Sequence, residues 1–171
     1  MKRLITTLTA FALLTGALSP FALARQEDPV SRAGFVCLLW AYAGMPGTAA
    51  PFSFDDVEQN AACAEAVGWG CELSILRGTG GGCFSPDRPM TREEAAVILR
   101  RYAAASGGDT FLPDGVAACN DYEGISPWAD DSLYWATNRG ILPWSPGGLL
   151  DPLGFVSPSQ AEEAIARTLT A

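Results

Sequence analysis

Two arginines stand where a cation is normally unwelcome. Arg32 and Arg92 each follow a hydroxyl residue, Ser31 and Thr91, and each opens a stretch whose apolar residues recur at helical spacing. A cation in the first turn of a helix opposes the macrodipole and costs about 0.3–1 kcal/mol, so something must offset it. One candidate is an ion pair with Glu93 or Glu94. The other is chemical: a guanidinium beside exposed helix N–H groups forms a bidentate site for a carboxylate or phosphate. Trp69 and Trp135 fall at equivalent places in the chain and invite a similar choice. Core packing is the commoner role of such rings, while a ring left at a groove can stack on a sugar face. Of the remaining tryptophans, Trp144, between Pro143 and Pro146, is the one expected to be exposed.

Catalytic constellations are missing. The chain has no histidine, which removes the common Ser-His-Asp and Cys-His arrangements. The acids Glu93/Glu94 and Asp130/Asp131 are sequence neighbours, so on a helix they diverge instead of facing one substrate. The glycine run after Arg77 lacks the Lys-Ser/Thr ending of a phosphate-binding loop. The spacing Cys63-x7-Cys71-x11-Cys83 lacks the close cysteine pairs of zinc sites. The chain is therefore expected to be non-catalytic, with no cofactor and no metal.

The elements that position these residues recur. Residues 66–101 align without a gap on residues 132–167, with eight identities in 36 positions, among them Trp69/Trp135, Ile75/Ile141, Gly82/Gly148 and Arg101/Arg167. About two or three would be expected from average residue usage. A third, partial copy lies 60 residues upstream, where Ser31, Arg32, Phe35, Leu39 and Tyr42 match Thr91, Arg92, Ala95, Leu99 and Tyr102. Three long helices are predicted. Thr91 with Glu94, and Ser157 with Gln160, form capping boxes, and Pro158 sits where its missing N–H is harmless. Shorter helices are predicted over Glu58–Leu73 and Ala129–Arg139. Gly/Pro-rich loops follow them, with short β-like segments allowed at Cys83-Phe84 and Leu149-Leu150. The expected fold is all-α, a central three-helix bundle with shorter peripheral helices.

Lys2 and Arg3 precede an apolar run and then Ala22-Leu23-Ala24, the layout of a secretory signal peptide cleaved after Ala24. No later segment is apolar enough to span a bilayer, so no membrane insertion is expected after cleavage. Beyond residue 24, nine arginines face 19 acids, a surface that repels nucleic acid and anionic headgroups. Any anionic ligand must meet a local arginine cluster. An exported chain is free to oxidise its cysteines, and five cannot all pair internally. One free thiol with up to two disulfides is expected, with a disulfide-linked partner chain as the variant.

The ordered set of motifs resembles the S-layer homology family. Phe54-Asp55-Asp56-Val57, Trp69, Ile75, Gly78, Gly80, Gly82, Phe84, Pro86 and Thr91-Arg92-Glu93-Glu94 follow its repeat, and Trp128-Ala129, Trp135-Ala136, Gly140-Ile141, Pro152 and Ser157 follow it again. The resemblance runs from about Pro29 to Leu169. It implies a signal peptide (1–24), a partial repeat (25–50), a full repeat (51–106) and a repeat degenerate at its motif (107–171), in a pseudo-threefold assembly. It further implies a bacterial surface location and grooves that bind cell-wall polysaccharide, often pyruvylated, lined by Arg32, Arg92, Thr91, Trp69, Trp135, Gly80, Gly82 and Asp56. Pro158 replaces the motif arginine in the last copy, so at most two competent grooves are expected. The competing expectation is a structural or protein-binding module that has lost the carbohydrate site.

Overall fold

The computed structural model describes residues 27–48, 52–113 and 118–170, so the predicted leader lies outside the described residues. Five α-helices follow in order: α1 (Arg32–Tyr42), α2 (Ala64–Glu72), α3 (Arg92–Ala105), α4 (Asp130–Asn138) and α5 (Pro158–Leu169). A single 3-10 turn at Tyr122–Gly124 precedes α4. The fold is all-α. Among the described residues the β-structure is confined to isolated bridges, two of which, Gly80 with Cys83 and Ser145 with Leu149, fall at the two segments allowed to be β-like.

The long helices begin where their hydroxyl residues dictate. Ser31 Oγ accepts from Gly34 N at 3.1 Å, and Thr91/Glu94 and Ser157/Gln160 close reciprocal capping boxes. Each such cap contributes about 1 kcal/mol. One residue before each cap lies a buried apolar residue, and these three bond to one another in a closed ring. Val30 N donates to Val156 O at 2.9 Å, Val156 N to Met90 O at 3.0 Å, and Met90 N to Val30 O at 2.9 Å. The three long helices thus converge at their N-terminal ends. α5 also packs against both α1 and α3, while α2 packs on α1 and α4 on α3. The third apolar face is thinner, as its sequence indicated, and the buried Thr168 satisfies its hydroxyl by donating to Ala164 O at 2.8 Å.

Two expectations are corrected. The first short helix starts at Ala64 instead of Glu58. The chain before it is tied to the glycine loop, because Asp55 N donates to Gly82 O at 3.0 Å, and reverse turns at Ala61 and Ala64 use the backbone groups a helix would need. The second correction concerns sulfur: all five cysteines are free thiols. An oxidising compartment permits a disulfide, but only packing can bring two sulfurs together. Instead, Cys119 Sγ lies 3.0 Å from the Tyr134 hydroxyl, and burial pushes the Cys37 and Cys71 thiols up.

Candidate functional site

Arg32 and Arg92 do the same thing 60 residues apart. Arg32 Nε donates to Phe84 O at 3.0 Å and its Nη2 to Arg77 O at 3.2 Å. Arg92 Nε donates to Leu150 O at 2.9 Å and its Nη2 to Pro143 O at 2.6 Å, the carbonyls one repeat further on. Each planar fork therefore pins a helix start to the loop of the next unit. Both residues are only 4% exposed. Burial pulls both guanidinium pKa values down, opposed at Arg32 chiefly by Glu94 and at Arg92 chiefly by Asp151. This differs from the expected anion site in a specific way: the donors that a ligand would use are mostly given to backbone carbonyls.

The acids of the motif also act across units. Glu94 Oε1 lies 3.2 Å from Arg32 Nη1 and pairs with Arg88 as well, while its other oxygen accepts from Thr91 N. Glu93 accepts from Ser126 N at 3.1 Å and Ser126 Oγ at 2.9 Å, not from Arg92. Glu94 is thus offset by one cation from the neighbouring copy, Arg32, and by one from its own, Arg88.

Asp56 holds the loop. Its two oxygens accept from Phe84 N and Ser85 N, both at 2.7 Å, and Asp121 repeats this on Leu150 N at 2.9 Å and Asp151 N at 2.7 Å. Ser85 and Asp151 have φ of 61° and 52°, a left-handed conformation that non-glycine residues adopt at a cost. The carboxylates stabilise it. Asp121 escaped sequence reasoning because its copy lacks the Phe-x-Asp-Val opening; its position about one repeat after Asp56 was the available signal. Gly82 is favoured by its φ of 81°, and a Cβ there would also displace the Asp55 carboxylate, 2.7 Å away at Oδ2. Gly80 shapes the same loop with φ of 119°.

The two repeat tryptophans are core residues. Trp69 packs against Tyr102 with ring centroids 5.8 Å apart, and Trp135 is fully buried with its Nε1 donating to Asp109 O at 3.2 Å. Neither offers a ring to a ligand. Trp144, expected to be exposed, is half-buried against the core, whereas Trp128 is 56% exposed.

These backbone bonds give the Asp56 carboxyl a pKa below its ordinary 3.8, the Phe84 N–H being the largest cause, and Asp109 is lowered chiefly by Phe111 N. A carboxyl lowered on folding stabilises the protein above its unfolded pKa and loses that contribution as pH falls through the folded value. Thermal melts are thus expected to be level near neutrality and to fall below about pH 4. Asp56→Asn should be less stable at neutral pH and should lose less on acidification. Parallel melting curves for the variant and the parent across that range would refute the clamp.

A cavity of about 610 Å³ opens between α1 and the loop and helix of the next copy. Arg32, Arg77, Arg88 and Arg101 line it with a single acid, Glu94, and Trp128 stands at its wall. Of the eight candidate groove residues, Arg32 alone lines it; Arg92, Thr91, Trp69, Trp135, Gly80, Gly82 and Asp56 are not among its lining residues. Arg77 and Arg88 were passed over because the last copy has Pro143 and Gly154 at their places. A second cavity, about 550 Å³, has the opposite character: Glu27 and Asp151 line it with Ser157, Ser159 and Gln160, and no arginine takes part. Glu27 accepts from Ser159 N and Oγ at the cap beside Pro158, where a motif arginine would stand.

Fold and cavity together define a helical repeat protein with a cation-lined groove between its units. Residues 53–96 match the model of the S-layer homology domain. Relatives share most of its length. An endoglucanase of Bacillus sp. (strain KSM-635) is 26% identical over 83% of this chain and 15% of its own. A cellulosome-anchoring protein of Acetivibrio thermocellus is 24% identical over 88% of this chain and 34% of its own. Cell surface glycoprotein 1 of the same organism is 30% identical over 61% of this chain and 4% of its own. The chain thus spans about a third or less of the length of these relatives. Among the described residues, no helix is long and apolar enough to cross a membrane.

Proposed function

We propose that this chain is a non-catalytic cell-surface anchoring module that binds an anionic cell-wall polysaccharide, carried to the surface by its leader. The observation that supports this is the concentration of four arginines against one acid in a single 610 Å³ cavity, in a chain whose net charge is −8. A protein with that excess of acids repels polyanions everywhere except where its cations are gathered. Trp128, 56% exposed at the cavity wall, supplies an apolar ring face of the kind that packs on a pyranose. The named roles of the cellulosome-anchoring protein and the cell surface glycoprotein favour a surface site over a soluble one. The second cavity, lined by Glu27 and Asp151 without an arginine, is a poor match for an anion, so this reading rests on the first cavity alone, within the expectation of at most two competent grooves.

Sedimentation with purified bacterial sacculi tests this. The protein is expected to co-sediment with sacculi that retain their secondary polymer, to stay in solution with sacculi stripped of it, and to release as salt rises. Trp128→Ala should weaken binding without changing the fold. Equal sedimentation with stripped sacculi, or none with either, would overturn the proposal.

A further inference from the structure

The four arginines of the groove are not equivalent. Arg32 and Arg88 share Glu94, so two cations meet one carboxylate. Arg77 and Arg101 have no carboxylate partner among the described residues. The Arg101 guanidinium makes one long hydrogen bond, to Ile75 O at 3.4 Å, and Arg77 makes none with its side chain among the described residues. The two line the same cavity, where burial and then the charge of Arg77 lower the Arg101 pKa. Two like charges in one partly dry cavity repel, and among the described residues no carboxylate pairs with either to offset that repulsion.

The last copy of the repeat shows the same position without this feature. Arg167 is the counterpart of Arg101, and it is neutralised within its own helix by Glu163, at 2.6 Å, while bonding Gly140 O. The counterpart of Glu163 is Val97, and the counterpart of Arg77 is Pro143. In the groove copy, therefore, the neutralising acid is a valine on the cavity wall and a second arginine is added. A conformation needed only for packing would be served equally well by the neutral arrangement found one repeat later. The difference includes a gain of net positive charge at matched positions, and its sign is that of a site for an anion.

We infer that Arg77 and Arg101 form an oxyanion subsite within the groove, distinct from the Arg32–Glu94–Arg88 cluster, which holds one phosphoryl or carboxylate group of the ligand between two guanidiniums. The inference rests on the anionic-polymer reading above, but it has its own test. Removing either guanidinium takes away a charge-assisted hydrogen bond and should weaken binding about tenfold. Arg77 is exposed and Arg101 half-buried, and neither guanidinium carries a structural clamp like those of Arg32 and Arg92.

In the full folded chain, inorganic phosphate and acetate are titrated separately while the arginine Nε–H resonances are followed by NMR. Phosphate, acetate or both should shift Arg77 and Arg101 saturably, and whichever is tighter identifies the group preferred. Arg77→Gln and Arg101→Gln should each remove the saturable shift with an unchanged circular dichroism spectrum, and should each reduce sacculus binding about tenfold. No saturable shift at either residue, or an undiminished one in the Arg77→Gln/Arg101→Gln double variant, overturns the subsite. If the parent binds sacculi and the double variant binds equally well, the subsite falls while the anchoring proposal stands. If phosphate or acetate binds at the pair but sacculi do not bind at all, the anchoring proposal falls and the subsite stands.

Discussion

Trp135→Ala is expected to lower the free energy of unfolding by about 3–5 kcal/mol, the range for deleting a large aromatic side chain from a packed core. Trp135 is fully buried on α4, and its Nε1 donates to Asp109 O, drawing the segment after α3 onto α4. Arg139 extends the same cluster, with its guanidinium 6.0 Å from the indole centroid and 2.5 Å from Asp109 Oδ2. The substitution therefore leaves a cavity and also releases a polar tie between α4 and the segment that leads into it from α3. Trp69 is the internal control. It holds the same repeat position and is 5% exposed, but its indole N–H makes no hydrogen bond among the described residues. Trp135→Phe should accordingly cost about 1 kcal/mol more than Trp69→Phe, the net value of one hydrogen bond. Urea denaturation followed by circular dichroism measures all three variants. A Trp135→Ala loss under about 1 kcal/mol would mean that the ring is not the centre of this interface.

The scaffold was legible because its signals are local. Ser31, Thr91 and Ser157 announce helix starts through hydrogen bonds that span three residues, and the apolar periodicity of α1, α3 and α5 needs no knowledge of distant chain. The misplaced start of α2 has the reverse cause. Glu58 to Asn60 have no propensity against helix strong enough to register, and the bonds that hold residues 52–63 out of it come from Gly82 and from the Phe84–Ser85 backbone nearly 30 residues later. The cysteines failed for a similar reason, since count and compartment say nothing of which sulfurs meet.

The site was less legible than the fold because repetition draws attention first to residues that serve folding. Residues that recur between copies, such as Trp69/Trp135 and Arg32/Arg92, recur because each copy must fold, and the structure finds them in the core or clamping loops. The groove combines recurring residues, Arg32 and Arg101, with residues that break the repeat: Arg77 against Pro143, Arg88 against Gly154, Val97 against Glu163. Alignment of the copies scores these as mismatches. Read as differences in charge at matched positions, they were the available signal.

The clamps themselves give the second large effect. Arg32→Ala is expected to destabilise the protein by about 3–5 kcal/mol, because it removes a buried cation and leaves its partners unpaired. Phe84 O and Arg77 O lose their donors, and Glu94, 14% exposed, keeps only Arg88. Arg32→Lys should recover little, since a point charge on a flexible stem cannot serve two carbonyls and a carboxylate at once. Glu94→Gln should be less damaging in the Arg32→Ala background than in the parent, with a coupling of about 0.5–3 kcal/mol. Without the cation, a neutral amide at that position leaves no charge to be satisfied. Additive losses in this double-mutant cycle would show that Arg32 works through the two carbonyls alone. The outcome also governs how binding data are to be interpreted. A loss of sacculus binding in Arg32→Ala reports a loosened joint between copies unless the fold is shown to be intact, whereas the same loss in Arg77→Gln reports the groove. Arg32 carries the joint between copies, whereas Arg77 and Arg101 make at most one long backbone bond, so variants of that pair can separate the proposed binding from folding.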